Sequence, residues 1–326
     1  MNKYNFGPYC NMIEINNLDF LGYNEDQKKV LSLIKEAKKP RTKIKLCLMV
    51  APSFVVDFDY KYFVQLMKNL GFDKVTELTF GAKIVNQNYH KFIKEHYSDY
   101  IRSGKKKDKN FQDKFIASVC PASVSLILHQ HPELKKYLLP FVSPMVAMAK
   151  VVRKSFPFHT IVFLAPCGAK KVEAQGCTNN KGKKLIDACV TFSEMKQIVA
   201  KEKPSKYHCK HIFDSFNNSY TKIYPLSGGL SATLHYKGIL DKKDMVACDG
   251  SKNLTKLFLK NPDKVFYDIL FCKGGCIGGP GVATRTPISI RKQRVLRYKN
   301  VKNDHKTSSK QSTKDYTHSL DFSKHF

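Results

Sequence analysis

No stretch of about 18 or more uninterrupted apolar residues occurs in this 326-residue chain, so no membrane-spanning helix is expected. Met1 to Asn17 lacks the positively charged start and apolar core of a secretory signal, so a cytoplasmic, reducing compartment is expected. There is no internal repeat. Acid is scarce: 27 Asp and Glu stand against 56 Lys and Arg, a formal net charge of +29. The basic runs are Arg102 to Lys109, Lys181 to Lys184 and Arg291 to Lys302. Such charge suits nucleic acid, an anionic surface or an acidic partner, or is simply a solvated lysine-rich surface. Lys prevails where bidentate readout of bases or phosphates would favour Arg, so nucleic acid is the weaker reading. An acidic electron-carrier protein would dock well on such a surface.

What is present in a reducing compartment without an obvious reason is cysteine, ten in all. Disulfides explain them poorly; metal ligation or buried thiols explain them better. Cys47, Cys189, Cys209 and Cys248 read as small core hydrophobes. Cys177, in EAQGCTNN, reads as an unliganded loop thiol.

Apolar periodicity alternates between strand and helix along the chain. Strands are expected at Ile44 to Val50, Val75 to Phe80, Phe115 to Val119, Thr160 to Ala165, Met245 to Cys248 and Val265 to Phe271. Helices are expected at Glu25 to Ala37, Tyr62 to Leu70, Ile84 to His96, Ala122 to Gln130, from Ser143 onward, Ser193 to Ala200, Gly229 to Tyr236 and Leu254 to Leu259. A basic helix follows Arg291. This pattern predicts an α/β fold of largely parallel sheet flanked by helices. Residues 1–41 form an N-terminal extension, 42–300 the main domain, and 301–326 a basic tail expected to be disordered.

Four turns follow expected strands directly: Ala51-Pro52-Ser53, Cys120-Pro121-Ala122, Pro166-Cys167-Gly168, and Cys272 to Cys276. Loops beyond the C-terminal ends of strands converge in α/β sheets, so three cysteine-bearing segments can meet. An iron–sulfur cubane takes four thiolates, here from Cys120, Cys167, Cys272 and Cys276. Glycines around the pair, in CKGGCIGGPG, oppose a helix and allow backbone N–H groups to approach a cluster. Zinc remains the competing metal, although structural zinc favours two closely spaced ligand pairs and only one exists.

At these residues the chain resembles the catalytic domain of the iron-only (FeFe) hydrogenases. Three signatures stand in order: SVCPA at Ser118 to Ala122, PCGAKKVEA at Pro166 to Ala174, and CKGGCIGGPG at Cys272 to Gly281. VAPSF, LGFDKVTELTFGA, HPEL, LPFVSPMVAMAK, VTFSEMK and YPLSGGL agree as well, so the similarity spans about Lys43 to Val282. The resemblance implies two packed lobes of sheet and helix with the metal cluster between them, and an H-cluster: a 4Fe–4S cubane on Cys120, Cys167, Cys272 and Cys276, with Cys276 bridging to a two-iron unit. That unit carries carbonyl and cyanide ligands and a dithiolate bridge. Lys170 matches the family lysine that hydrogen-bonds a cyanide, and the backbone of Pro52 and Ser53 would hold another. The implied reaction is reversible reduction of protons to hydrogen, with Cys276 and Lys170 at the catalytic unit.

The chain departs from the family in two respects. The proton-shuttling cysteine before the first ligand is Val119 here. Ile84 to Lys94 lacks the family's glutamate pair, and Leu139 stands where a relay serine is expected. General acid–base help is worth about 10²–10⁴-fold, so turnover is expected to be low. Only Cys10 and Cys47 precede Cys120, so no accessory cluster is expected, and electrons would come from an acidic carrier such as ferredoxin. Hydrogenase maturation proteins would insert the two-iron unit. TFGA, SPMV, YPLSGGL and the single-cysteine SVCPA look most like the sensory branch of the family. The alternative is a non-catalytic 4Fe–4S protein resembling hydrogenases, acting in iron–sulfur assembly or redox sensing.

Overall fold

A computed structural model describes residues 23–103, 111–179, 181–205, 212–216, 218–234, 239–260, 264–301 and 313–326. Cys10, Cys209, most of the basic run at 102–109 and the segment 302–312 lie outside the described residues.

Helix α1 (Glu25–Ala37) opens with a capping box, in which Asn24 and Gln27 satisfy each other's backbone N–H groups. Strand β1 (Lys45–Val50) is buried at five of its six positions, as a strand covered on both faces must be. There follow α2 (Phe63–Leu70), β2 (Lys74–Glu77), α3 (Thr79–Ile93) and the short α4 (Asp99–Ser103). Next come β3 (Phe115–Ile116), α5 (Pro121–Gln130), α6 (Pro144–Ser155), β4 (His159–Ala165), α7 (Gly168–Gln175), β5 (Ala188–Thr191) and α8 (Phe192–Glu202). The last elements are β6 (Met245–Asp249), α9 (Ser251–Lys260), β7 (Phe266–Leu270), α10 (Ile288–Lys299) and α11 (Thr313–Thr317).

The strands form two sheets, ordered β2-β1-β4-β5 and β3-β7-β6, and every pairing within them is parallel. The α/β architecture with two parallel sheets flanked by helices is therefore as the sequence pattern implied. Strands β1, β4, β3 and β7 each run into a loop that carries a candidate site residue, and this puts residues from both sheets at one place.

Several elements differ from expectation for identifiable reasons. Helix α7 and strand β5 carry no readable period. In α7 the inward residues include Lys170 and Lys171, so the buried face looks polar in sequence. The expected strand at Val75 to Phe80 stops at Glu77, and α3 begins at Thr79. No helix forms over the described part of 229–236, only a short 3₁₀ turn at Ser231–Thr233. There Thr233 Oγ1 bonds to the carbonyls of Gly229 and Leu230, and Ser231 bonds to Asp268, so side chains compete with the helical ladder.

The expected disordered tail is instead packed over 313–326. Val142 N donates to Phe322 O and Lys324 N to Pro140 O, both at 2.9 Å, flanking an antiparallel bridge between Phe141 and Ser323. Tyr316 meets Phe80 and Phe216 edge to face. Lys150 and Lys154 donate to the carbonyls of Asp321 and His318. Polar composition hid three aromatic anchors, Tyr316, Phe322 and Phe326.

Candidate metal centre

Cys120 and Cys167 each stand at the N-cap of a helix, α5 and α7, with extended backbone. Pro121 takes the first helical position of α5, where its missing N–H costs nothing. Cys272 follows β7, and Cys276 lies in the 3₁₀ turn Gly275–Gly278. Gly274 and Gly275 adopt φ of +82° and +76°, a left-handed path that residues with a Cβ resist. It lets the chain double back so that Cys276 N donates to Pro225 O at 2.8 Å.

All four cysteines line one cavity of about 290 Å³, walled also by Gly278 and Gly279. The two sheets contribute jointly: the β3-β7-β6 sheet supplies Cys120 and the Cys272/Cys276 pair, and the other supplies Cys167. Among the described residues, no three His, Cys, Asp or Glu side chains gather closely enough for a single metal ion. A zinc ion needs its four donors around one point. Cysteines that ring a cavity suit a polynuclear cluster instead.

The electrostatics agree with that donor set. Burial pushes the Cys167 thiol up to about 11, and the Cys120 charge adds to it, while the backbone N–H groups of Lys170 and Ala169 pull it down. Burial and then the neighbouring cysteines push Cys272 and Cys276 well above their ordinary range. These three thiols resist ionising unless a cationic group meets them, which is what iron supplies. Cys47 and Cys189 are buried within β1 and β5, and Cys177 is buried after α7.

A second, smaller cavity of about 80 Å³ adjoins the first. Cys120, Cys167 and Cys276 line both, whereas Cys272 lines only the first. Pro52, Ser53, Val119, Lys170 and Tyr224 also wall the second. The structure thus brings every candidate site residue to two adjoining cavities.

Lys170 Nζ donates to Glu173 Oε2 at 2.7 Å, Ser143 Oγ at 3.0 Å and Val119 O at 3.4 Å. Burial alone would lower its ammonium, but the Glu173 carboxylate holds it above its ordinary value, so it stays charged. Ser53 is fully buried, and among the described residues its Oγ has no hydrogen-bond partner. An orphaned hydroxyl beside a buried ammonium fits a ligand with polar ends. The residues present fit a two-part cluster.

Sequence reasoning missed the residues that hold this site. Glu173 pairs with Lys170, and its only signal is the i, i+3 spacing. Arg291 donates to the carbonyls of Ile277, Thr284 and Thr286, tying α10 to the Cys276 turn. Asp57 accepts from Ala283 N and Thr284 N at 2.8 and 2.7 Å, tying the Pro52–Val56 turn to the same loop. In α3, which carries no Asp or Glu, Tyr89 OH bonds Ser118 Oγ at 2.9 Å and accepts from Ser118 N at 2.8 Å. Ser118 Oγ in turn reaches the Leu139 carbonyl at 2.8 Å.

Comparison with known proteins gives a consistent picture. A model of the family described as "Iron only hydrogenase large subunit, C-terminal domain" matches residues 44–280. Iron hydrogenase 1 of Clostridium pasteurianum is 22% identical over 289 aligned residues, covering 73% of this chain and 48% of its own length. The chain thus spans about half the length of that curated relative. The FeFe-hydrogenase HydA1 of Chlamydomonas reinhardtii superposes with a TM-score of 0.66 at 15% identity, over 89% of this chain and 92% of that one. A FeFe-hydrogenase solved in a study of stepwise H-cluster assembly gives 0.65 at 15% identity, over 85% of this chain and 88% of that one. At such identity these structures speak for the fold.

Proposed function

The chain belongs to the iron-only hydrogenase large-subunit, C-terminal-domain family, and from that premise we propose that it is an iron–sulfur oxidoreductase of FeFe-hydrogenase type. The observation that carries this reading is the paired cavity: three of its cysteines border both halves, and the smaller half holds a charged Lys170 and a free Ser53 hydroxyl. Cys120, Cys167, Cys272 and Cys276 would hold a 4Fe–4S cluster, and Cys276 would bridge to the two-iron unit. When bound, that unit supplies the chemistry by which two protons and two electrons give one hydrogen molecule.

The chain's own residues then have definable tasks. Lys170, kept charged by Glu173, would present a donor to an anionic cyanide of the bound unit, where charge-assisted bonds are strong. The backbone of Pro52 and Ser53 would orient a second cyanide, and Ser53 Oγ would add a donor there. Phe163, Leu78 and Pro144 exclude water from the same wall. Val119 borders the cavity and carries no proton, and this supports slow turnover or a hydrogen-sensing role, as in the sensory branch. Maturation proteins would deliver the two-iron unit, and an acidic one-electron carrier would reach the cubane across a surface of net charge +29.

Infrared spectroscopy of the chain produced with its maturases tests the reading. Bands of iron-bound carbon monoxide and cyanide are expected. Their absence from protein that nonetheless holds about four irons and four sulfides would sink the hydrogenase reading and leave a non-catalytic cluster protein.

A further inference from the structure

Asp268 is a buried acid that the reading above does not use. It lies in the middle of β7 and is 1% exposed. Two residues on, and so on the same face of the strand, Leu270 lines both cavities. Asp268 Oδ2 accepts from Ser231 N at 2.9 Å and Ser231 Oγ at 3.0 Å. The segment that carries Ser231 also carries Pro225, whose carbonyl takes the Cys276 N–H. The carboxyl is thus clamped beneath the loop that seats on the bridging cysteine.

The surroundings of Asp268 differ from those of the other buried acids. Glu173 is ion-paired with Lys170. Glu77 is bonded to the Tyr298 hydroxyl at 2.7 Å and lies near the Lys222 ammonium. Asp268 is held by neutral donors, the Ser231 N–H and hydroxyl and the Leu230 N–H. Its charge in turn disfavours ionisation of Tyr89 of α3, Tyr224 and Cys276. Burial keeps both phenols protonated, so neither adds charge.

We propose that Asp268 takes up a proton when an electron enters the cluster held by the four cysteines. The step balances simply. A one-electron carrier protein reduces the cluster by one electron, and one proton from solvent passes by way of the Ser231 hydroxyl. One O–H bond forms on the Asp268 carboxylate, and the net charge of the pocket is unchanged. The physical reason is the low dielectric: negative charge added to a dry site favours the neutral form of a nearby acid that has no cation to lean on. Burial has already raised this carboxyl to about 6, so the proton is available near neutral pH. Asp268 acts here as a positioning and charge-compensating group, without touching the cluster. The proposal rests on the iron–sulfur reading of the site.

The test uses the full chain reconstituted anaerobically with iron and sulfide alone, and redox titration followed by electron paramagnetic resonance from pH 5 to 9. Below the carboxyl's value of about 6 the midpoint potential is expected to be flat. Above it the midpoint should fall by up to about 59 mV per pH unit, the one-electron equivalent of a tenfold change in proton activity. Asp268→Asn should give a flat curve near the acid limit of the wild type. Ser231→Ala removes a donor to the carboxylate and should move the onset of the slope to higher pH. A flat wild-type curve, or a slope that survives in Asp268→Asn, overturns the proposal. The wild-type curve decides even if the Asn variant does not fold. Failure to assemble any cluster overturns the iron–sulfur reading together with the proposal, whereas an assembled cluster with a flat potential overturns the proton coupling alone.

Discussion

Replacing Gly275 by Ala tests how the Cys272–Cys276 turn is held. Gly275 has φ of +76°, and an added Cβ would fall inside 3.0 Å of Pro225 O, at 3.0 Å from Leu270 Cδ1 and 3.1 Å from Ser227 N. The left-handed backbone costs an alanine about 1–2 kcal/mol. The Pro225 carbonyl must also move away, and it is the acceptor of the Cys276 N–H bond, worth about 1 kcal/mol. The two effects together amount to about 3 kcal/mol, near a hundredfold in the folding equilibrium. With a denaturant slope of about 3 kcal/mol per molar, the urea midpoint of cluster-free protein should fall by about 1 M. Gly176→Ala is the control. Gly176 sits at φ −83° with no neighbouring atom nearer than 4.0 Å, so it should be neutral or slightly stabilising. Iron bound after reconstitution should drop in the Gly275 variant and hold in the control. If Gly275→Ala unfolds with the control and binds iron as fully, the turn is not constrained as described.

Two further outcomes follow from buried groups and the pocket wall. Burial raises Glu77 from its ordinary 4.5 to about 7, against smaller opposing effects of Lys222 and the Tyr298 hydroxyl. The folded state therefore binds more protons than the unfolded one in that window, so stability falls as pH rises through it, by about 3 kcal/mol. Urea unfolding at pH 5 and 8 should show this fall in wild type and a much smaller one in Glu77→Gln; equal pH dependence in both would refute it. Val119 borders the smaller cavity, so Val119→Cys places a titratable thiol there. In fully matured protein it should raise hydrogen turnover about tenfold or more, and no gain would show that proton delivery is not limiting.

Different parts of the molecule were legible to different degrees. Strand β1 and helix α2 could be read because their apolar spacing repeats the burial they acquire. Helix α7 could not, because two of its inward residues are lysines whose charge is met only in the folded chain: Lys170 by Glu173 one turn on, and Lys171 by the distant Asp26 and Glu194 at 2.8 and 2.6 Å. The packed segment 313–326 was hidden for a related reason. A few aromatics among polar residues anchor a strand-like pairing to 140–142, and that partner is visible only in three dimensions.

From the sequence alone the turns that bear the four cysteines and Pro52-Ser53 could be placed together, because each follows a strand and loops at strand ends converge, whereas Lys170 was legible only through the family resemblance. The sequence also determined the α/β class, since alternating periods of two and near four admit little else. Only the tertiary structure decided that the site is two adjoining cavities, with Cys272 on one side and Cys276 bordering both. It alone decided that Glu173 keeps Lys170 charged, that Arg291 and Asp57 hold the cysteine turn, and that Asp268 lies beneath it. Those facts depend on how two sheets meet, and the meeting is set by packing between residues far apart in the chain, such as Asp57 and Thr284, 227 positions apart.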